Sequence, residues 1–229
     1  MKRLYLLGLA AAVLLLIAVL VGRSDIDNSA HAQNVELAGD TRRVDEGALI
    51  RAEIQNDTVV PKVAPRGYDV TVVMFSDYQC PYCRKVHPVL EQMKREDKKL
   101  RIVYRDWPIF GAGSLEAARA SIASQYQGKH AAFNDAMMNV QGKVTSASIR
   151  AAAGRANVDW AKLQADMTAH TSDIDGAIDR TGRYAAMMGL SGTPAMLVGP
   201  YLIPGAIDLP GMRKAVAMAR ENPNGASTT

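Results

Sequence analysis

Only two cysteines, Cys80 and Cys83, occur in the 229 residues. That number excludes a disulfide framework, a four-cysteine zinc site and a typical cysteine-ligated iron–sulfur cluster. Histidine is nearly as scarce. His31, His87, His130 and His170 are scattered, and no HExxH pair occurs. A glycine-rich phosphate loop, a Gly-x-Ser-x-Gly elbow, internal repeats and low-complexity tracts are all missing. Excess charge is missing too. Three of the 27 basic residues (Lys2, Arg3, Arg23) flank an N-terminal apolar run, and the other 24 nearly balance 23 acids. Phosphate backbones need a concentrated basic face, so this near-balance argues against nucleic acid as the main partner. At 48% apolar and 22% charged, the chain is not a disordered one. The roughly 195 residues beyond the first 30 or so suffice for one domain, or for one with an insertion.

The apolar run is Leu4–Gly22, 19 uncharged positions. This is close to the ~20 that span a bilayer. Lys2 and Arg3 precede it, and the positive-inside rule sends everything after Arg23 across the membrane. Ala30-His31-Ala32 is an A-x-A site with cleavage before Gln33, so residues 1–32 read either as a signal peptide or as a membrane anchor. Both place the body in an oxidising compartment. Residues 33–67 read as an N-terminal arm, with a short amphipathic helix over 44–54 and a linker at Val59–Gly67, where Pro61 and Pro65 lie. A spacer is the simpler use of this arm, an oligomerisation segment the sharper one.

Asp69–Ser76 (DVTVVMFS) is a β-branched apolar run and reads as a buried strand. Cys80-Pro81-Tyr82-Cys83 follows, and then Cys83, Val86, Leu90 and Met93 recur at helical spacing. The pattern is strand, tight turn, helix, with the CxxC at the helix N-terminus. Pro81 suits the first helical turn, and Pro88 should kink the helix two turns in. A helix N-terminus carries unpaired N–H groups and the positive end of the dipole, so it stabilises an anion. Cys80, first and expected nearest the solvent, should therefore be a thiolate nucleophile. Cys83, on the apolar face, should be the less accessible resolving thiol that closes the disulfide. The same pair also fits a structural disulfide, or half of a soft-metal site such as one for Cu(I). His87 follows at Cys83+4 with no second histidine nearby; one turn past the CxxC, it is expected to be exposed, with tuning of Cys80 as the alternative. Covalent haem is excluded, because Arg84 rather than His follows Cys83.

Downstream, Gly189–Gly199 (GLSGTPAMLVG) is a turn entering a second apolar strand, where Pro194 reads as a strand-leading proline. Leu100–Tyr104 reads as another strand. Ser114–Leu190 holds 18 alanines and no proline, which argues helices. These are expected at Ser114–Gln125, Lys129–Asn139, Ser146–Arg155 and Trp160–Met188, the last broken near His170–Ser172. A hairpin across Gly199-Pro200 and a helix at Leu209–Glu221 close the chain. The methionine pairs Met137-Met138 and Met187-Met188 read as core more simply than as a peptide groove. Trp107 and Phe110 fit either packing or a groove edge.

The set DVTVVMFSDYQCPYCRK (Asp69–Lys85), Trp107–Gly111, SGTPAMLVG (Ser191–Gly199) and Ile203-Pro204-Gly205-Ala206 resembles the DsbA family of bacterial exported thiol–disulfide oxidoreductases, most closely its ScsC-like branch. The resemblance covers roughly residues 68–221. It implies an α/β fold in which a thioredoxin domain (68–112 and 191–222) is interrupted by a helical domain (113–190), with a tail at 223–229. It implies Cys80 as nucleophile, Cys83 as resolving cysteine, Pro194 as a cis-proline, and Thr193 before it with its hydroxyl near the disulfide. No metal or cofactor is implied. Partners would be exported proteins with cysteines and a membrane redox protein, in a periplasmic setting; the assembly state does not carry over. One departure stands out. Many relatives carry an acid on the first strand, six residues before the nucleophile, and here that position is Met74, with Asp77 nearer the turn. The expected activity is oxidation or isomerisation of disulfides. A membrane-linked reductase and a copper-binding or chaperone module using the same cysteines are the alternatives.

Overall fold

Two strands without an exposed residue form the centre of the sheet. β2 (Val70–Ser76) and β3 (Leu100–Asp106) pair in parallel from Val70↔Leu100 to Ser76↔Asp106, and all seven residues of each are buried. The computed structural model describes residues 47–225. The apolar run at 4–22, the Ala30–Ala32 site and the start of the 44–54 helix lie outside the described residues. Among the described residues no helix is long and apolar enough to cross a membrane. A first helix, α1, is described over 47–56.

β4 (Ala195–Val198) joins β2 antiparallel, and β5 (Tyr201–Pro204) closes a hairpin on it. The stretch expected as a linker holds a two-residue strand, β1 (Lys62–Val63), antiparallel to β3. The sheet order is β1-β3-β2-β4-β5. β3 runs two residues past its expected end. Arg105 and Asp106 extend it although they are charged: the Arg105 guanidinium is met by Ile54 O and Asp57, whereas the buried Asp106 carboxylate has no hydrogen-bond partner among the described residues.

α2 (Pro81–Glu96) and α8 (Leu209–Glu221) bury their apolar stripes against one face of this sheet. Val86, Leu90 and Met93 of α2 and Met212, Val216 and Ala219 of α8 meet Val72, Met74, Ile102, Tyr104, Met196 and Val198. Met74 therefore sits in apolar packing. α2 is continuous across Pro88. Between β3 and β4 run α3 (Ala112–Ser124), a 3-10 turn (Gln125–Gln127), α4 (His130–Met138), α5 (Ser146–Arg155), α6 (Trp160–Ala169) and α7 (Thr171–Met187). Caps set their ends. Thr145 and Ser148 form a reciprocal capping box on α5, Asp159 accepts from the Lys162 N–H on α6, and Asp208 accepts from the Gly211 N–H on α8. The break expected near His170 separates α6 from α7, where the His170 ring stacks on Tyr126 at 4.0 Å. Met137 and Met138 are buried as expected, whereas Met187 is exposed.

The β4–β5 turn leaves no room for a side chain. Gly199 has φ +55°, and a Cβ there would lie 2.8 Å from the Cβ of Ala219 on α8. Gly199→Ala combines left-handed strain with a clash against a packed helix. It is expected to cost about 1–3 kcal/mol in urea unfolding. A loss below about 0.5 kcal/mol would show instead that α8 shifts freely.

Candidate active site

β2 ends at Ser76, and the four residues to Cys80 make the turn into α2. Asp77 holds that turn. Its side chain is buried, and its Oδ1 accepts from the Gln79 N–H at 2.7 Å and from the Ser114 hydroxyl at 2.7 Å. Its Oδ2 accepts from the N–H groups of Ile109 (2.8 Å) and Phe110 (3.1 Å). The backbone adds bonds from Cys80 N–H to Asp77 O and from Trp107 N–H to Ser76 O. The Gln79 amide donates to Phe110 O and its Oε1 accepts from Val144 N–H, while Arg84 donates to Tyr78 O and Gly142 O. The Tyr78 hydroxyl is 2.6 Å from Ser121 Oγ and donates to Asn134 Oδ1. The CxxC turn is thus tied to three separate segments. Sequence reasoning left Asp77 in the turn without a role; its bonds to 109, 110 and 114 depend on pairings more than 30 residues away.

Cys80 is the N-cap of α2, with φ −71° and ψ 117°, and Pro81 opens the first turn. Its sulfur accepts from the Cys83 N–H at 3.4 Å. Both cysteines are free thiols. The Cys83 thiol, hydrogen-bonded to the Cys80 sulfur, is the main reason the Cys80 pKa falls to about 5. Burial opposes this fall, and Thr193 with the N–H groups of Cys83 and Tyr82 reinforces it. The same bond and burial push the Cys83 thiol far up. The sequence places Cys80 nearest the solvent, and the structure does not. Cys80 does not face solvent: it is 1% exposed against 0% for Cys83, because the turn before α2 and the 193–194 loop enclose it. Its reactivity comes from charge stabilisation rather than from exposure.

The structure brings all four candidate residues together. Cys80 Sγ lies 3.2 Å from Thr193 O, to which the thiol donates. The Thr193–Pro194 peptide bond is cis. The Thr193 hydroxyl is buried with no hydrogen-bond partner among the described residues. Tyr82 within the CxxC, and Ile109 and Phe110 on the segment bonded to Asp77, are exposed. His87, expected to be exposed, is 6% exposed, and its Nε2 is 2.8 Å from Asp135 Oδ1.

A family model described as DSBA-like thioredoxin domain matches residues 71–217, which include both cysteines and the 193–194 loop. The chain belongs to this family. Among solved structures, a thioredoxin-like oxidoreductase from Silicibacter pomeroyi DSS-3 is 37% identical, with TM-score 0.71 over 75% of this chain and 98% of that one. The thiol-disulfide exchange protein alpha-DsbA2 from Wolbachia pipientis is 25% identical, with TM-score 0.71 over 79% and 97%. The catalytic domain of Proteus mirabilis ScsC shares the fold, with 24% identity and TM-score 0.67 over 74% and 94%. Among curated proteins, the Na(+)/H(+) antiporter NhaA 1 of Salinispora arenicola is 27% identical over 157 residues, which are 68% of this chain and 24% of the antiporter. The chain spans about a quarter of the length of the curated relatives it matches. The DSBA-like fold places the helices α3–α7 between β3 and β4, so the CxxC and the cis-proline loop meet although more than 100 residues separate them.

Proposed function

We propose that this chain is a thiol–disulfide oxidoreductase that forms or isomerises disulfide bonds in exported proteins through Cys80 and Cys83. The observation that carries this reading is the placement of the two thiols. Cys80 caps the N-terminus of α2, accepts from the Cys83 N–H at 3.4 Å and lies 3.2 Å from Thr193 O of the cis-proline loop. This arrangement holds its pKa down at about 5 and pushes the buried Cys83 thiol up. An electron pair is easily left on Cys80, which makes it both nucleophile and leaving group. When the Cys80–Cys83 bond oxidises a client, the client thiolate attacks Cys80 and forms a mixed disulfide, and Cys83 leaves and takes up a proton. A second client thiolate then displaces Cys80, the two client cysteines are joined, and the electron pair remains on the Cys80 thiolate. In isomerisation the Cys80 thiolate attacks a client disulfide instead. Thr193 and Pro194 present backbone beside the sulfur for an extended client segment.

A stable Cys80 thiolate stabilises the reduced form and so favours oxidation of clients. The arrangement of residues 68–112 and 191–222 as the redox domain, with 113–190 inserted, belongs to this proposal. So does a periplasmic setting, with 1–32 as signal or tether and a membrane redox partner that restores the Cys80–Cys83 bond. The test is the reduction potential of Cys80–Cys83, from graded glutathione buffers, alkylation and mass measurement. A potential near or above about −180 mV is expected for an oxidant or isomerase. A value near −270 mV would make the chain a reductase, and failure to exchange would remove the enzymatic reading.

A further inference from the structure

Cys83 poses a problem that the described chemistry does not solve. Its sulfur is wholly buried, yet every cycle must add or remove its proton. The strand position before it, Met74, is apolar and packed in the core. The structure offers another route. A cavity of about 10 Å³ lies against Cys83, lined also by Ser76, His87, Tyr104 and Asn134. That volume is near the lower limit for one water molecule, and four polar side chains line it, which is what a buried water needs. His87 sits one helical turn beyond Cys83 and lines this cavity, and its Nε2 lies 2.8 Å from Asp135, whose side chain is 60% exposed.

We propose that His87, backed by Asp135, carries the Cys83 proton to and from solvent through a single water held in this cavity. This rests on the oxidoreductase reading above. In the resolving step, Cys83 gives its proton through the water to the His87 imidazole. The Cys83 thiolate attacks Cys80 Sγ, the Cys80–Cys83 bond forms, the Cys80–client bond breaks, and the client leaves as a thiolate. His87 then releases the proton to solvent beside Asp135. In the opposite direction the leaving Cys83 thiolate collects a proton by the same path.

The neighbouring groups do not compete. Tyr104 faces the cavity from β3, but burial raises its pKa, and Lys94 lies 3.3 Å from its hydroxyl. His130, at the start of α4, packs its ring 4.7 Å from Tyr104, and burial lowers its pKa to about 3. Asp106, held up at about 7 by burial, stands behind the lining residue Ser76 at the end of β3 beside Tyr78 and Ser121. It does not itself line the cavity and is buried, with no exposed partner of its own among the described residues to pass a proton to solvent. His87 alone, of the described lining residues, joins the cavity to an exposed carboxylate. His87 acts through the water and is a positioning and proton-exchange residue.

The test follows the reduced full chain, in mild detergent, as it reacts with oxidised glutathione. Acid quenching and mass measurement separate the attack of Cys80 from the resolving step that releases the second glutathione. His87→Gln keeps a donor toward Asp135 but cannot exchange a proton. It is expected to slow resolution by at least about 10-fold, so that the mixed disulfide accumulates, with the attack rate and the reduction potential unchanged. Asp135→Asn, isosteric and on the exposed side, is expected to slow the same step about threefold or more. In His87→Ala, added imidazole should restore resolution, and pyrazole, of the same shape but weakly basic, should not. The proposal is overturned if resolution in His87→Gln matches wild type, if attack and resolution slow together, or if pyrazole rescues as well as imidazole. A wild-type chain that never exchanges would instead overturn the parent reading, and this one with it.

Discussion

Iodoacetamide is expected to modify Cys80 of the reduced chain with a midpoint near pH 5, instead of the 9.0 of an ordinary thiol. Cys83 is expected to stay unmodified across the neutral range. The two results have one cause, because the hydrogen bond from the Cys83 thiol is the largest influence lowering the Cys80 pKa. Cys83→Ala removes that donor, and the Cys80 midpoint should move up toward the ordinary value. The same variant lacks the resolving thiol, so it should retain the Cys80–glutathione mixed disulfide. Cys80→Ser should lose exchange altogether. Stability follows from the sign of the shift. The folded pKa is depressed, so between about 5 and 9 the unfolded chain binds more protons, and the stability of the reduced protein rises with pH. The slope is at most about 1.4 kcal/mol per pH unit, and the gain is lost as pH falls through about 5. Urea unfolding of reduced and oxidised protein at pH 4 and pH 7 measures it. The oxidised protein has no such thiolate and should lack this dependence. Equal pH slopes for the two forms, or a Cys80 midpoint above about 8, would show that the helix N-terminus and Cys83 do not govern this thiol.

The local features of this site were legible in the sequence. Pro81 at the first helical position and the apolar residues at 83, 86, 90 and 93 located the CxxC at the start of α2. The alanine-rich, proline-free stretch contained five helices, and the segment expected from Trp160 to Met188 divides at His170. These signals act within a few turns of chain. What was not legible depends on distant partners. β1 is two residues long and flanked by prolines, so only β3 beside it makes it a strand. His87 follows the helical period of α2, and its burial depends on α4, which supplies Asp135. Arg105 and Asp106 look like the exposed end of a strand until residues 53–57, Tyr78 and Ser121 are placed around them. Met74 was legible as a departure from relatives; the group proposed in place of a strand acid, His87, is seen only in the cavity that Met74 also lines.

Removal of the Asp57 carboxylate is expected to be the most destabilising single change outside the active site. Arg105 is 0% exposed and arises from the second central strand. Its guanidinium donates to Asp57 Oδ2 at 3.0 Å and to Ile54 O at 2.7 Å, and it lies 5.1 Å from the Tyr184 ring. Arg180 of α7 donates to both Asp57 oxygens, at 2.8 and 3.1 Å, and the Val59 N–H donates at 3.0 Å. One carboxylate thus joins the segment before β1, the central sheet and α7. Burial alone would raise its pKa, but the Arg180 bond, the Val59 N–H and the Arg105 charge outweigh it and hold the pKa at about 2. Because the folded pKa is depressed, the contribution is complete above about pH 4 and is lost as pH falls through 2. It amounts to about 2–3 kcal/mol. Asp57→Ala goes further, because it leaves a fully buried guanidinium without its counter-ion, a loss of about 3–5 kcal/mol. In thermal unfolding this corresponds to a fall in Tm of roughly 10 °C for a domain of this size. Asp57→Asn retains the shape and should still lose most of that stability, since two guanidinium groups then share a neutral acceptor. Arg105→Met in the Asp57→Ala background removes the stranded charge and should recover part of the loss. If Asp57→Ala costs less than about 1 kcal/mol, or if the second substitution worsens it, the segment at 53–57 is not held through Arg105. The Cys80 midpoint should remain near 5 in all three variants, because none of these side chains is among the groups that lower it.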